Sequence, residues 1–166
     1  MLKKFRAAVI TLSDKGSQGL REDTSGKWIL ERLRQEGYKL VYYEILPDEP
    51  EQLEQILCRL ADEHVCDLIL TTGGTGLSKR DRTPEATKHV IDREVPGIAE
   101  AIRSYSITIT KRAMLSRAVS GIRKDTLIIN LPGSRKAVEE SLNYILEPLE
   151  HGLGILTGSV LECGRN

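Results

Sequence analysis

The sequence predicts an α/β fold: a single domain over residues 1–166, built as a three-layer sandwich, with a mostly parallel sheet, helices on both faces and an antiparallel hairpin at one edge. Three observations carry that prediction. Within the first 91 residues an apolar, strand-like run gives way to a helix-like segment three times, the alternation expected of parallel strands joined by helical crossovers. Two further apolar runs, 118–122 and 127–130, are close enough to pair as a hairpin. Aromatics are scarce (Phe5, Trp28 and five tyrosines), so the core must be aliphatic. A chain of this length can bury roughly 70% of its unfolded surface without disulfides or a structural metal.

Taken in order, residues 6–12 form the first apolar run, and Ser13-Asp14-Lys15-Gly16 breaks it. Asp23-Thr24-Ser25-Gly26 offers several N-caps for a helix from about 25 to 36, with Trp28, Ile29 and Leu33 on its apolar face and Gly37 as its stop. Val41, Tyr42, Tyr43 and Ile45 mark a strand over 38–46, closed by Pro47. Asp48-Glu49-Pro50-Glu51 reads as a capping box for a helix reaching about residue 63, with Asp48 as N-cap. Asp67 to Thr71 is the third strand. Thr83 caps a helix that starts at Pro84 and runs to about 91, Pro96-Gly97 interrupts, and helical spacing resumes from Ile98 to about Thr108. After the hairpin, Leu131-Pro132-Gly133-Ser134 breaks the chain and a helix runs to Glu147. The tail from Pro148 gives no clear pattern.

Composition narrows the function. Lys+Arg and Asp+Glu both total 24, so the formal net charge is zero, and with so few aromatics neither duplex nor single-stranded nucleic acid is the expected partner. Cys58, Cys66 and Cys163 form neither a CxxC pair nor an even framework. His64, His89 and His151 show no metal-ligand spacing. With no signal peptide and no long apolar run, the expectation is a cytoplasmic protein without a membrane segment. Cys58 and Cys66 read as small core residues, His89 as a packing or surface group, Trp28 as core or subunit interface. Lys111-Arg112, Arg117 and Arg123-Lys124 read as solvated charges.

The chemistry concentrates in residues 67–85. Leu68-Ile69-Leu70 ends in Thr71 and Thr72, followed by Gly73, Gly74, Thr75 and Gly76, then by Lys79, Arg80, Asp81 and Arg82, and Thr83-Pro84-Glu85 opens a helix. A buried strand that empties into backbone amides, hydroxyls and guanidiniums suits an anion, above all a phosphate. Two common templates fail: Ser78 stands where a P-loop needs its second glycine, and Lys79 where a dinucleotide fingerprint needs its third. With Thr83 as cap, Asp81 is not needed for helix entry. It is either a surface ion-pair partner of Arg80 and Arg82 or a carboxylate held for a cation beside a phosphate. Asp48 is likewise either an N-cap or a functional acid. In a parallel sheet ligands sit outside the carboxyl ends of the strands, and four such ends carry polar or Gly-rich breaks: Ser13-Asp14, Pro47-Asp48, Thr71 to Gly76, and Leu131 to Ser134.

Several of these stretches together resemble one family: ITLSD (10–14), DTSG (23–26), LPDE (46–49), TTGGTGLSKRDRTPEAT (71–87), DREVPGI (92–98) and LSRAVSGIRKDTLIINLPGS (115–134). They are similar in order and spacing to the MogA and MoaB proteins of molybdenum-cofactor biosynthesis and to the related domain of gephyrin, over roughly residues 10–147. The resemblance implies an α/β sandwich that assembles as a homotrimer, or as paired trimers forming a hexamer. It implies a molybdopterin adenylyltransferase that joins molybdopterin to the AMP part of ATP with Mg²⁺, releases pyrophosphate, and passes its product to a molybdate-inserting partner protein. Carried onto this chain, it makes Asp48 and Asp81 the catalytic pair and the carboxylates toward Mg²⁺. Substrate contacts fall to Ser13, Asp14, Thr72, Gly73, Gly74, Thr75, Gly76, Arg80, Thr83, Pro132, Gly133 and Ser134. The intact Arg80-Asp81 and Thr83-Pro84 favour a MogA-type enzyme over MoaB-like members, and the retention of Asp48 and Asp81 argues against a non-catalytic binding or scaffold relative. One departure stands out: Arg135 occupies a position where the family commonly has proline.

Overall fold

The computed structural model describes residues 5–160; Cys163 and the rest of the C-terminal tail lie outside the described residues, as do residues 1–4. Six strands form one sheet in the order β2-β1-β3-β6-β5-β4: β1 (Arg6–Leu12), β2 (Lys39–Leu46), β3 (Leu68–Thr72), β4 (Arg93–Glu94), β5 (Ser120–Arg123) and β6 (Thr126–Leu131). The strands β2, β1, β3 and β6 are parallel, whereas β5 pairs antiparallel with both β6 and β4. The expected edge hairpin is therefore present, turning at Lys124 with φ +53°, and the two-residue β4 extends it.

The strands read as they do because their faces are covered. All five residues of β3 and all six of β6 are buried, the continuous apolar run expected of central strands in a parallel sheet. On one face Ala7, Val9, Leu68, Leu70, Leu127 and Ile129 pack against α2 (Thr24–Gln35), α5 (Pro96–Ile109) and α6 (Arg135–Leu156). The alternate residues Ala8, Ile10, Ile69 and Ile128 pack against α3 (Pro50–Asp62) and α4 (Thr83–Val90) on the other. This is the three-layer sandwich. Inside it Asn130, fully buried, donates to the hydroxyls of Thr71 and Thr87 at 3.0 Å each and accepts from the Val119 amide at 3.2 Å, which ties β6 to β3, α4 and the approach to β5.

Some expectations about helix ends need correction. Asp48 does not cap α3: Glu49 is the N-cap, without a side-chain bond, and Pro50 is the first helical residue. Thr83 does not cap α4 either; Arg82 is the N-cap, and Thr83 opens the helix with its hydroxyl turned back to the Gly73 carbonyl at 3.0 Å. Pro96 starts α5 rather than interrupting a helix, because its missing N–H falls where a helix has no internal acceptor. The last helix does not stop at Glu147 but carries Pro148 inside it to Leu156. Burial of Leu149 and Leu153 in the core outweighs the one backbone hydrogen bond that the proline removes. Two short helices go beyond the sequence pattern, α1 (Asp14–Ser17) and a 3₁₀ turn at Lys111–Leu115. No helix among the described residues is long and apolar enough to cross a membrane.

Candidate active site at the carboxyl ends of the strands

The chain leaves β1 toward β2 on one side and returns on the other with β3, so the strand order reverses between β1 and β3. The loops after these two strands splay apart there, which makes a crevice at the carboxyl edge. An open cleft of about 620 Å³ occupies this point and is lined by Ser13, Asp14, Asp48, Gly73, Gly74 and Asp81, among others. The breaks after β1, β2, β3 and β6 do converge, as Gly133 and Ser134 also face the cleft.

The glycine loop is shaped by its neighbours. Gly73 and Gly74 have φ of +96° and +69°, values that disfavour any side chain. A Cβ on Gly73 would lie 2.4 Å from the Leu12 carbonyl oxygen, and one on Gly74 2.3 Å from the Thr83 hydroxyl. All four loop carbonyls are bonded back into the protein. Gly73 accepts from the Thr83 hydroxyl and Gly74 from the Thr83 amide (3.1 Å), while Thr75 accepts from the Arg117 amide (2.9 Å) and Gly76 from Arg117 Nε (2.8 Å). With its acceptors committed inward, the loop is suited to meet an anion with its donors. Thr72 donates its hydroxyl to the Pro132 carbonyl at 2.6 Å, and Ser25 donates to the Gly133 carbonyl at 2.8 Å, so the loops after β3 and β6 are fixed to each other and to the start of α2.

Three carboxylates gather at one side. Asp14 and Asp48, 34 residues apart, bond reciprocally: the Asp48 amide donates to Asp14 Oδ1 at 3.0 Å and the Asp14 amide to Asp48 Oδ2 at 3.2 Å. Arg80 donates to both oxygens of Asp14, at 3.0 and 2.8 Å, and also to Glu49 at 2.8 Å. These bonds to Arg80, helped by the Asp48 amide, hold the Asp14 carboxyl below its ordinary range. Asp48 is different. Burial pushes its carboxyl up, the Asp14 amide pulls it back, and the charges of Asp14 and Asp81 add to the rise, leaving it above the ordinary value.

The ion-pair reading of Asp81 with its flanking arginines is not what the structure contains, since Arg80 is taken by Asp14 and Glu49, and Arg82 faces Glu85 at 4.0 Å. Asp81 Oδ2 instead accepts the Ser78 amide at 3.0 Å, and a Cβ on Gly76 would lie 2.9 Å from it.

Of the residues singled out from sequence, Ser13, Asp14, Asp48, Thr72, Gly73, Gly74, Asp81, Gly133 and Ser134 line the cleft. Thr75, Gly76, Arg80, Thr83 and Pro132 stand behind it as supports, through the bonds given above. Ser13 and Ser134 also cap α1 and α6, accepting from the amides of Gly16 and Ala137. Arg135 faces the cleft too and donates to Glu139 at 2.7 Å. The charges read as solvated include two that are not. Arg123 bonds both oxygens of Asp62 and the Val90 carbonyl, and Arg117 braces the glycine loop.

The sequence marks Asp23 only as a cap. It does accept the Gly26 amide at 2.8 Å, but it is buried beside the cleft and also accepts the hydroxyls of Thr11 and Tyr43, each at 2.6 Å. Asp23 and Arg117 lie within stretches that carry the family resemblance, but nothing local marks their roles: their partners on the strands and in the glycine loop become neighbours only through the fold.

An open α/β sheet with an anion-suited glycine loop and clustered carboxylates at its switch point defines a nucleotide- or phosphate-handling class of protein. The particular family follows from comparison with known proteins. Residues 8–151 match the family model described as "Probable molybdopterin binding domain", and the chain belongs to that family. A molybdopterin adenylyltransferase from Helicobacter pylori is 39% identical over 168 residues, covering 99% of this chain and 94% of its own length. One from Escherichia coli is 41% identical over 148 residues, covering 87% and 75%. The crystal structure of the molybdopterin biosynthesis enzyme MoaB from Thermus thermophilus superposes with a TM-score of 0.87 at 49% identity, covering 93% of this chain and 97% of that one.

Proposed function

We propose that this protein is a molybdopterin adenylyltransferase of molybdenum-cofactor biosynthesis, joining the terminal phosphate of molybdopterin to the AMP portion of ATP and releasing pyrophosphate. The single observation that carries the reading is the meeting of Asp14, Asp48 and Asp81 with Gly73 and Gly74 in one cleft at the sheet's switch point. Relatives at 39–41% identity that bear the adenylyltransferase name support it.

The nucleophile in such a reaction is a phosphate already ionised at neutral pH, so no side chain has to deprotonate it. The difficulty is charge: two unit charges 4 Å apart repel by about 4 kcal/mol at an effective dielectric of 20. The protein's part is to hold the two phosphates in line and to offset their charge. In this reading the backbone donors at Gly73 and Gly74 and the α6 N-terminus at Ser134 hold phosphate oxygens. Arg80 keeps Asp14 ionised and fixed, and Asp14 in turn orients Asp48.

The residues fit Mg²⁺. Asp48 and Asp81 offer oxygen ligands to a shared cleft, and neither has a cation within ion-pair distance among the described residues. Mg²⁺ is commonly held by one or two carboxylates, with phosphates and water as its other ligands. When bound, Mg²⁺ supplies positive charge against the phosphate oxygens. Asp48 and Asp81 would be the side chains that hold it.

The test is Asp81→Asn in a pyrophosphate-release assay with molybdopterin, ATP and Mg²⁺. Turnover should fall at least ~100-fold, the scale on which removing one electrostatic group from a transition-state site acts. The thermal midpoint should stay within about 3 °C of wild type; near-normal turnover refutes the role of Asp81. A wild-type protein that binds molybdopterin without releasing pyrophosphate would be a scaffold rather than an enzyme. Trimer assembly and delivery to a molybdate-inserting partner belong to the same reading. The exposed apolar side chains Ile107, Ile109, Met114 and Leu115 support a subunit contact, and a monomeric mass in solution would refute it.

A further inference from the structure

Behind the cleft lies a feature that the reaction itself does not call for. Ser116-Arg117-Ala118 forms a strap between the 3₁₀ turn and β5, gripped from two directions. On the α5 side, Arg103 donates to the carbonyls of Ala118 (2.8 Å) and Ser116 (3.4 Å). On the cleft side, Arg117 commits its amide and guanidinium to the loop that carries Asp81 and to the helix that follows it. Its amide donates to the Thr75 carbonyl at 2.9 Å, its Nε to the Gly76 carbonyl at 2.8 Å, and its two terminal nitrogens to the Asp81 carbonyl and to Glu85. Arg117 is itself absent from the cleft lining.

We propose that Arg117 is a positioning residue of the site: by fixing the carbonyls of Thr75, Gly76 and Asp81 at once, it sets the direction in which the Asp81 carboxylate enters the cleft. Apart from Arg80, whose side chain reaches Asp14 and Glu49, the loop between Gly76 and Asp81 is otherwise held by local bonds. Ser78 and Asp81 exchange two hydrogen bonds (Asp81 amide to the Ser78 carbonyl, Ser78 amide to Asp81 Oδ2, each 3.0 Å) and close a small turn. Arg80 tethers this turn through a side chain of its own, whereas Arg117 binds backbone carbonyls on both sides of it and so fixes the orientation of its backbone. The task needs arginine. A planar guanidinium presents five donors in a fixed fork, so it can serve two carbonyls and a carboxylate together; lysine offers a rotatable point charge that cannot span them. Glu85 offsets the charge that the fork brings into a half-buried place.

In its functional consequence this inference rests on the adenylyl-transfer reading, so the experiment has two arms. In the first, amide hydrogen exchange is followed over residues 74–83 without substrate. Arg117→Lys should speed exchange there about 10-fold or more and leave α2 and α3 unchanged, as expected for local opening. In the second, kcat should fall roughly 10- to 100-fold, the scale on which misplacing a reacting group acts, while KM for ATP moves less than about 3-fold. Glu85→Gln removes the ion pair but leaves the carbonyl bonds, so its effect on kcat should be much the smaller. Arg103→Met, which loosens the strap and keeps Arg117, should move both arms in the same direction by less, and it carries the test if Arg117→Lys fails to fold. Wild-type exchange over 74–83 in the folded variants overturns the proposal, as does faster exchange with an unchanged kcat. If the wild-type protein releases no pyrophosphate, the adenylyl-transfer reading fails, and the exchange arm alone decides whether Arg117 orients the loop.

Discussion

Gly73→Ala asks whether the backbone turn after β3, rather than any side chain, shapes the cleft. Gly73 has φ +96°, and the left-handed region costs an L-residue about 1–2 kcal/mol. The added methyl would also sit 2.4 Å from the Leu12 carbonyl oxygen. That oxygen belongs to β1, which is paired along its length with β2 on one side and β3 on the other, so it cannot swing away as a side chain would. Relief requires the ends of β1 and β3 to separate, and an overpacked site of this kind costs about 1–3 kcal/mol. Together the two effects destabilise by roughly 2–5 kcal/mol, or about 5–15 °C in the thermal midpoint of a domain this size. Thermal unfolding by circular dichroism measures the first consequence, and titration with a fluorescent ATP analogue the second, where affinity should fall because the cleft has widened. Gly74→Ala also carries left-handed strain but meets the Thr83 hydroxyl, which can rotate at the loss of its bond to Gly73, so its penalty should be smaller. A Gly73→Ala midpoint within about 2 °C of wild type, with unchanged nucleotide affinity, would refute the reasoning.

Asp48→Asn should separate stability from function. Because burial and the charges of Asp14 and Asp81 raise the Asp48 carboxyl in the folded state, its ionised form disfavours folding. The variant should therefore unfold at a higher temperature than wild type at pH 7, an advantage that shrinks as pH falls through the raised value and vanishes below the unfolded one. An equal or lower midpoint at pH 7 would contradict that origin, whatever happens to turnover. Gly152 sits inside α6 where a Cβ would meet nothing within 4 Å, so Gly152→Ala should gain about 0.8–1 kcal/mol of helix propensity and raise the midpoint by roughly 2–4 °C; a lower midpoint in thermal unfolding would mean that the space is not free.

The layers were legible because the signals behind them are local. The runs in β1, β3 and β6 are apolar on successive residues, which only burial on both faces explains, and the polar link between β5 and β6 is too short for anything but a hairpin. The misread boundaries share one cause, the weight of tertiary burial against a local preference. Asp48 and Thr83 have the right chemistry and spacing to cap α3 and α4. Each is drawn elsewhere, Asp48 to the Asp14 amide and Thr83 to the Gly73 carbonyl, and both helices start without a side-chain cap, with Pro50 first in α3 and Pro84 second in α4. Pro148 is the converse case, a breaker overridden because the turn after it buries Leu149 and Leu153.

The site was half legible, and the missing half follows a rule. Groups that face the cleft come from strand ends, and strand ends announce themselves by glycine, hydroxyl and carboxylate after an apolar run; Ser13-Asp14, Asp48, Gly73-Gly74 and Gly133-Ser134 are all found that way. The groups that orient them act across 66 residues from Arg80 to Asp14, 36 from Arg117 to Asp81 and 20 from Tyr43 to Asp23, distances at which neighbours along the chain say nothing about neighbours in space. Nor did charge help. An arginine flanked by acids and one that binds carbonyls have the same letter, and one of the two readings open to the sequence paired Arg80 with the aspartate beside it, whereas the fold gives it the one on β1's loop. That exchange bears on the chemistry. Because Arg80 neutralises Asp14, and the hydroxyls of Thr11 and Tyr43 already occupy Asp23, the other two acids lining the cleft without an ion-pair partner among the described residues are Asp48 and Asp81, which approach the cleft from the loops after β2 and β3. A cation bound between them would offset the Asp81 charge that helps to raise the Asp48 carboxyl.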